Sequence, residues 1–132
     1  MNTYIESLFI EISIPKNKNI VVGIIYRLPN SNANEFLLNL TDLINNPILA
    51  NKDSFIMGDF NIDLLKHTNS HLSQEFLDTF LSASFLPLIS KPTRVVSHAA
   101  TLIDNIFCNI LPLPESVIIL SDITDHYPIM TI

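Results

Sequence analysis

Apolar residues in this chain fall in short runs divided by polar turns, and the spacing within each run predicts its element. Residues 7–15 alternate, with Leu8, Ile10, Ile12 and Ile14 on one face and Glu11 and Ser13 on the other. Residues 19–26 hold the continuous run Ile20-Val21-Val22-Gly23-Ile24-Ile25, which reads as a buried strand. The polar Lys16-Asn17-Lys18 between them predicts a hairpin. Beyond the loop Arg27-Leu28-Pro29-Asn30-Ser31, Asn32 stands as an N-cap with Glu35 at the capping-box position. Phe36, Leu37, Leu40, Leu43 and Ile44 then recur at helical spacing until Asn45-Asn46-Pro47 stops the run.

A short buried strand follows at 54–58, and a polar segment at 66–70 leads to a second helix over 71–84, striped by Phe76, Leu77, Phe80 and Leu81. The remainder reads as strands at 86–89, 94–96, 101–107, 117–120 and 129–132, divided by loops containing Pro92, Pro112 and Pro114. There is no internal repeat and no low-complexity linker. Strands interrupted by two early helices make the class mixed α/β.

Composition narrows this picture. A chain of 132 residues is one domain with room for a core, and 48% hydrophobic residues with a mean hydropathy of +0.36 is high for its size. No apolar run approaches the roughly 20 residues of a membrane span, so the apolarity belongs to buried strands and no membrane partner is expected. The N-terminus, Met1-Asn2-Thr3-Tyr4-Ile5-Glu6, carries neither the basic region nor the cleavage site of a signal peptide. A single cysteine, Cys108, has no disulfide partner and fits an intracellular, reducing compartment. The net charge of −6, from 7 basic and 13 acidic residues, argues against broad attraction to nucleic acid. Carboxylates that hold a divalent cation raise the acid count locally, so a nuclease stays open.

The chemistry gathers at two strand exits. Gly58-Asp59-Phe60-Asn61 follows the apolar Phe55-Ile56-Met57, and Asp125-His126 follows the apolar 117–120 run. Carboxylate, amide and imidazole together suit metal-assisted attack on a phosphodiester. On an extended chain Asp59 and Asn61 point the same way while Phe60 points inward to the core. Asp104, inside Leu102-Ile103-Asp104-Asn105-Ile106-Phe107, would be costly if buried unpaired, and His126 would resolve that cost. Taken alone, Asp59 and Asn61 also read as ordinary strand-exit turn residues, His126 as a structural histidine and Tyr26 as core. His67, His71 and His98 lack metal-ligand spacing, and Cys108 reads as a small buried apolar residue.

In order and spacing, Ile25-Tyr26-Arg27-Leu28-Pro29-Asn30, Gly58-Asp59-Phe60-Asn61, Thr101-Leu102-Ile103-Asp104-Asn105-Ile106 and Thr124-Asp125-His126-Tyr127-Pro128 resemble the endonuclease/exonuclease/phosphatase superfamily. Lys91-Pro92-Thr93-Arg94 and the Tyr-Arg-Leu-Pro-Asn phrasing look most like the endonucleases of non-LTR retrotransposons. The resemblance implies a four-layer α/β sandwich, two packed mixed sheets flanked by helices, of which this chain is the C-terminal part. It implies magnesium-dependent hydrolysis of DNA phosphodiesters, with manganese as the alternative ion. Asp59 orients or deprotonates the water, and Asn61 holds that carboxylate or a phosphate oxygen. His126 donates to a non-bridging oxygen and Asp104 fixes its tautomer. Asp125 binds or orients the metal, and Tyr26, Asn30 and Thr93 contact the phosphate. DNA as partner, a reverse-transcriptase region in a parent polyprotein, and a nuclear location rest on the same resemblance.

The family's first half supplies an asparagine and the principal metal-binding glutamate, and neither segment is matched here. Glu6 and Glu11 sit in the strand just before Ile24-Ile25-Tyr26, too late to replace that glutamate, and Thr124 stands where many members have serine. An N-terminally truncated domain over 1–132 is therefore expected, with apolar surface left uncovered and activity impaired when the chain is made alone. A phosphatase or phosphodiesterase acting on a small phosphate ester, and a non-catalytic remnant, are the alternatives.

Overall fold

The alternating first segment and the continuous second one form strands β1 (Glu6–Ile12) and β2 (Ile20–Tyr26), paired antiparallel in the computed structural model, which describes residues 5–132. Residues 1–4, read above as part of the N-terminus, lie outside the described residues. Helix α1 (Ala33–Ile44) then carries the chain across to β3 (Asp53–Asp59), which pairs with β2 in parallel. The Asn32 side chain caps α1 by accepting from the Asn34 and Glu35 amides. Pro47 does more than stop this helix. With Asn46 as N-cap it opens a four-residue helix, α2 (Pro47–Ala50), because proline suits a first helical position.

A 3-10 turn (Leu64–Lys66) and helix α3 (His71–Ser82), capped by Ser70, follow. The short strand β4 (Leu86–Pro87) and strand β7 (Asp104–Cys108) complete a five-stranded mixed sheet ordered β1-β2-β3-β7-β4. Two small antiparallel ribbons stand beside it, β5 (Arg94–Val96) with β6 (Ala99–Thr101), and β8 (Ser116–Ile118) with β9 (Ile129–Thr131). The strand expected at 101–107 is thus two strands. It breaks because Leu102 and Ile103 turn to another segment: the Leu102 amide donates to Asp63, and their carbonyls accept from Leu64 and Phe60.

Cross-strand register assigns the sheet's two faces. Ile25, Ile56 and Phe107 face α1 and α3, where Phe36, Phe60, Phe76, Phe80, Phe85 and Phe107 are all fully buried. Phe80 and Phe107 stack at 3.7 Å between centroids, joining α3 to β7. The same side carries Phe9, whose ring lies over Gly23 where any Cβ would collide with it.

The opposite face is covered unevenly. The rows Leu8–Ile24–Met57–Ile106 and Ile10–Val22–Phe55–Cys108 cross it, and the β8–β9 ribbon shelters only the β7 end, burying Ile106 and Cys108. At the β1 end Leu8, Ile10 and Ile24 are 63%, 51% and 52% exposed. The alternating face of the first segment is therefore open, and the described residues form a fragment of the expected sandwich, one five-stranded sheet with the β8–β9 ribbon over part of its outer face. Phe80→Ala should cost about 3–5 kcal/mol in urea unfolding, while Leu38→Ala, on the outer side of α1, should change stability by no more than about 0.5 kcal/mol.

Candidate active site

Parallel pairing of β2 with β3 and antiparallel pairing of β3 with β7 bring one cross-strand row together: Tyr26 opposite Asp59, and Asp59 opposite Asp104. The row lies at the end of β3, where the strand stops. Gly58 permits this closeness, since a Cβ there would run into the Ile25 carbonyl oxygen. Glu6 extends the row beyond Tyr26 on the exposed edge strand, two strands from Asp59.

His126 arrives from a distant segment through an isolated antiparallel bridge to Arg94. Its Nδ1 lies 3.0 and 3.2 Å from the two Asp104 carboxylate oxygens. Against a carboxylate, which only accepts, Nδ1 is the protonated nitrogen and Nε2 is left free. The buried Thr93 hydroxyl donates to the same carboxylate at 2.7 Å and receives the Asp104 amide at 3.1 Å. Asp104 is therefore held on three sides. Ligand atoms of Asp59, Asp104 and His126 all lie within 4.8 Å of one another.

Asn61 sits differently from the extended geometry expected of it. β3 ends at Asp59, and Asn61 has a left-handed backbone with φ of 48°. Its backbone amide donates to Asp59 Oδ1 at 3.1 Å, while its side-chain amide donates to the Arg27 carbonyl at 2.8 Å. Phe60 between them is fully buried. Asn30 is exposed on the loop after β2, also left-handed, and Tyr26 is partly exposed beside Asp59. Thr93 faces Asp104 from within the fold, with no exposed surface for a phosphate.

Asp125 points away from its neighbour His126 and accepts from Arg94 Nε at 2.6 Å on the surface. The Arg94 guanidinium holds the Asp125 carboxyl below the usual carboxylate range. Asp59 moves the other way. Partial burial raises its pKa and the Asp104 charge adds to the rise, against the Asn61 hydrogen bond and the charges of His126 and Arg94. Arg27 and Arg94 lie inside the sequence stretches read above but received no role there. Their partners are 34 and 31 residues away, beyond the reach of any spacing rule.

Solved structures share this arrangement of elements. The endonuclease domain of TRAS1, a telomere-specific non-LTR retrotransposon, superposes with a TM-score of 0.74 at 13% identity, over 93% of this chain and 61% of that one. The Xenopus laevis APE2 catalytic domain gives 0.66 at 17% identity, over 96% of this chain and 54% of its own. A Leptotrichia buccalis protein of the endonuclease/exonuclease/phosphatase family gives 0.65 at 15%, over 95% and 52%. The chain has the endonuclease/exonuclease/phosphatase fold. It spans about half to three-fifths of the length of these neighbours. No family model matches the sequence, and no curated protein does.

Within this fold the two carboxylates of the cluster offer hard oxygen donors of the kind that suit magnesium or manganese. Among the described residues no helix is long and apolar enough to cross a membrane. A carboxyl whose pKa folding has raised holds its proton more tightly in the native state. The stability it contributes is fully present below its unfolded pKa, about 3.9, and is lost as pH rises through the raised native value. Asp59→Asn, with chelator present, should therefore raise the melting temperature at pH 7, and the gain should shrink as the pH falls toward 3. A gain that is independent of pH would show that Asp59 is not desolvated.

Proposed function

We propose that this chain carries the C-terminal part of a nuclease site that hydrolyses DNA phosphodiesters with magnesium or manganese. The observation that carries the reading is the Asp59–Asp104–His126 cluster, with His126 tied through Nδ1 to Asp104, at a strand end of a fold shared with an endonuclease domain. Phosphodiester hydrolysis needs a base near the attacking water and positive charge at the phosphoryl oxygens. A divalent cation bound by these carboxylates supplies part of that charge.

The chain's own residues supply the rest. Asp59, half-buried and raised in pKa, accepts the proton of a water, and the Asn61 amide keeps its carboxylate aimed. His126, with Nδ1 committed to Asp104, presents Nε2–H to a non-bridging oxygen when protonated. Thr93 holds Asp104 from behind, and Tyr26 and Asn30 flank the phosphate from the β2 side. Asp125, now paired with Arg94, would help to hold the cation. The reading extends to an N-terminally truncated domain, to a nuclear location and to a reverse-transcriptase region in a parent polyprotein.

The open apolar face over β1 and β2 supports an impaired site, because a second sheet packed there would complete both the sandwich and the ligand set. The test joins the portion of the TRAS1 endonuclease domain that this chain does not span to residue 5. Magnesium-dependent nicking of supercoiled plasmid should appear in this fusion and fall about 10²–10⁴-fold with Asp59→Ala, while the 132-residue chain alone stays near background. A folded fusion that leaves plasmid intact but cleaves a soluble phosphate ester would favour the small-ester phosphatase; one that cleaves neither would favour a non-catalytic remnant. Independently, manganese added to the 132-residue chain should broaden the NMR signals of Asp59, Asp104 and His126 first. Uniform broadening would contradict a bound cation.

A further inference from the structure

Arg27 is a charged residue that the fold buries, and burial of an unpaired guanidinium is costly. It is 6% exposed, and among the described residues it forms no ion pair. Its Nε is buried with no hydrogen-bond partner, and its plane lies over the Phe36 ring, 5.6 Å from the centroid. What the guanidinium does hold is backbone. Nη1 donates to the Asn61 carbonyl at 3.0 Å and Nη2 to the Ser31 carbonyl at 2.8 Å.

The main chain of Arg27 repeats the connection. Its amide donates to the Asp59 carbonyl at 3.0 Å, and its carbonyl accepts the Asn61 side-chain amide at 2.8 Å. One residue therefore touches the Asp59–Asn61 turn through amide, carbonyl and guanidinium. The two carbonyls bridged by the fork belong to turns containing the left-handed Asn61 and Asn30, with φ of 48° and 63°. Asparagine adopts this region more readily than most side chains, and the fork ties the two turns that use it to each other.

We infer that Arg27 is the positioning residue of the site: its guanidinium fork pins the Asn61 turn to the Asn30 loop, holding in place the residue whose amide aims Asp59. This rests on the proposed nuclease reading only for its effect on turnover. A fork spanning two carbonyls cannot be copied by an ammonium, so Arg27→Lys keeps the charge and loses the bridge.

The test compares Arg27→Met and Arg27→Lys with the unaltered chain by NMR, following the side-chain amide protons of Asn61 and the backbone amides of α3 and β7. In both variants the Asn61 side-chain amide should shift toward the free-amide position and exchange about tenfold faster, while α3 and β7 keep their protection. In the nicking-competent TRAS1 fusion, both should lower kcat about 10²-fold with KM unchanged. A folded variant with Asn61 unmoved overturns the inference. Loss of protection throughout in both variants also overturns it, by making Arg27 a general folding residue. If the fusion without either substitution does not nick DNA, the nuclease reading fails, and the Asn61 signal still decides the role of Arg27.

Discussion

The Tyr26–Asp59–Asp104 row on which the candidate site is built depends on the register of β3 between β2 and β7. Because β3 runs parallel to β2 and antiparallel to β7, its last residue meets Tyr26 on one side and Asp104 on the other. A slip of one residue would turn Asp59 into the phenylalanine core and bring Gly58 to the cleft. The phenylalanine cluster sets that register from below. Ile56 and Phe107 must face the helices, so Met57, Asp59 and Asp104 must face the other way. Core packing and site geometry are two faces of one constraint.

The cluster is electrostatically uneven, and the unevenness is useful. Asp104 accepts from the Thr93 hydroxyl and from His126, and its own amide donates to that hydroxyl, so it acts as an anchor. Asp59 has one backbone donor and partial burial, and the burial pushes its carboxyl above the usual range. Asp125, bound to Arg94 on the surface, is held below the usual carboxylate range. Three carboxylates in one neighbourhood thus have three different environments, the condition under which carboxylates divide roles. The open face over β1 and β2 limits what this division can achieve, because water reaches the row from the Tyr26 side and weakens each interaction.

Much of this was legible in sequence because it is local. Alternation gave β1, the β-branched run gave β2, the Asn32 cap and the apolar stripes marked the helices, and Asp59 at the end of an apolar run marked the candidate site. Asp104 with His126 followed from the cost of burying an acid alone. What escaped was long-range. The split of the 101–107 segment depends on Asp63, 39 residues from Leu102. The left-handed turn at Asn61 depends on Arg27, and the capture of Asp125 depends on Arg94, both fixed only once strands pair. Uncovered apolar surface was expected from the resemblance, but its place at Leu8 and Ile10 was not, because alternation says which residues share a face and not whether anything covers it.

The central claim is that the fold of this chain pairs His126 Nδ1 with the Asp104 carboxylate. Long-range proton–nitrogen NMR of the His126 ring tests it directly, because the neutral ring reports which nitrogen carries the hydrogen. The account predicts Nδ1–H in the unaltered chain and reversion to Nε2–H, the form favoured by a free histidine, in Asp104→Ala. Nε2–H in the unaltered chain would contradict it.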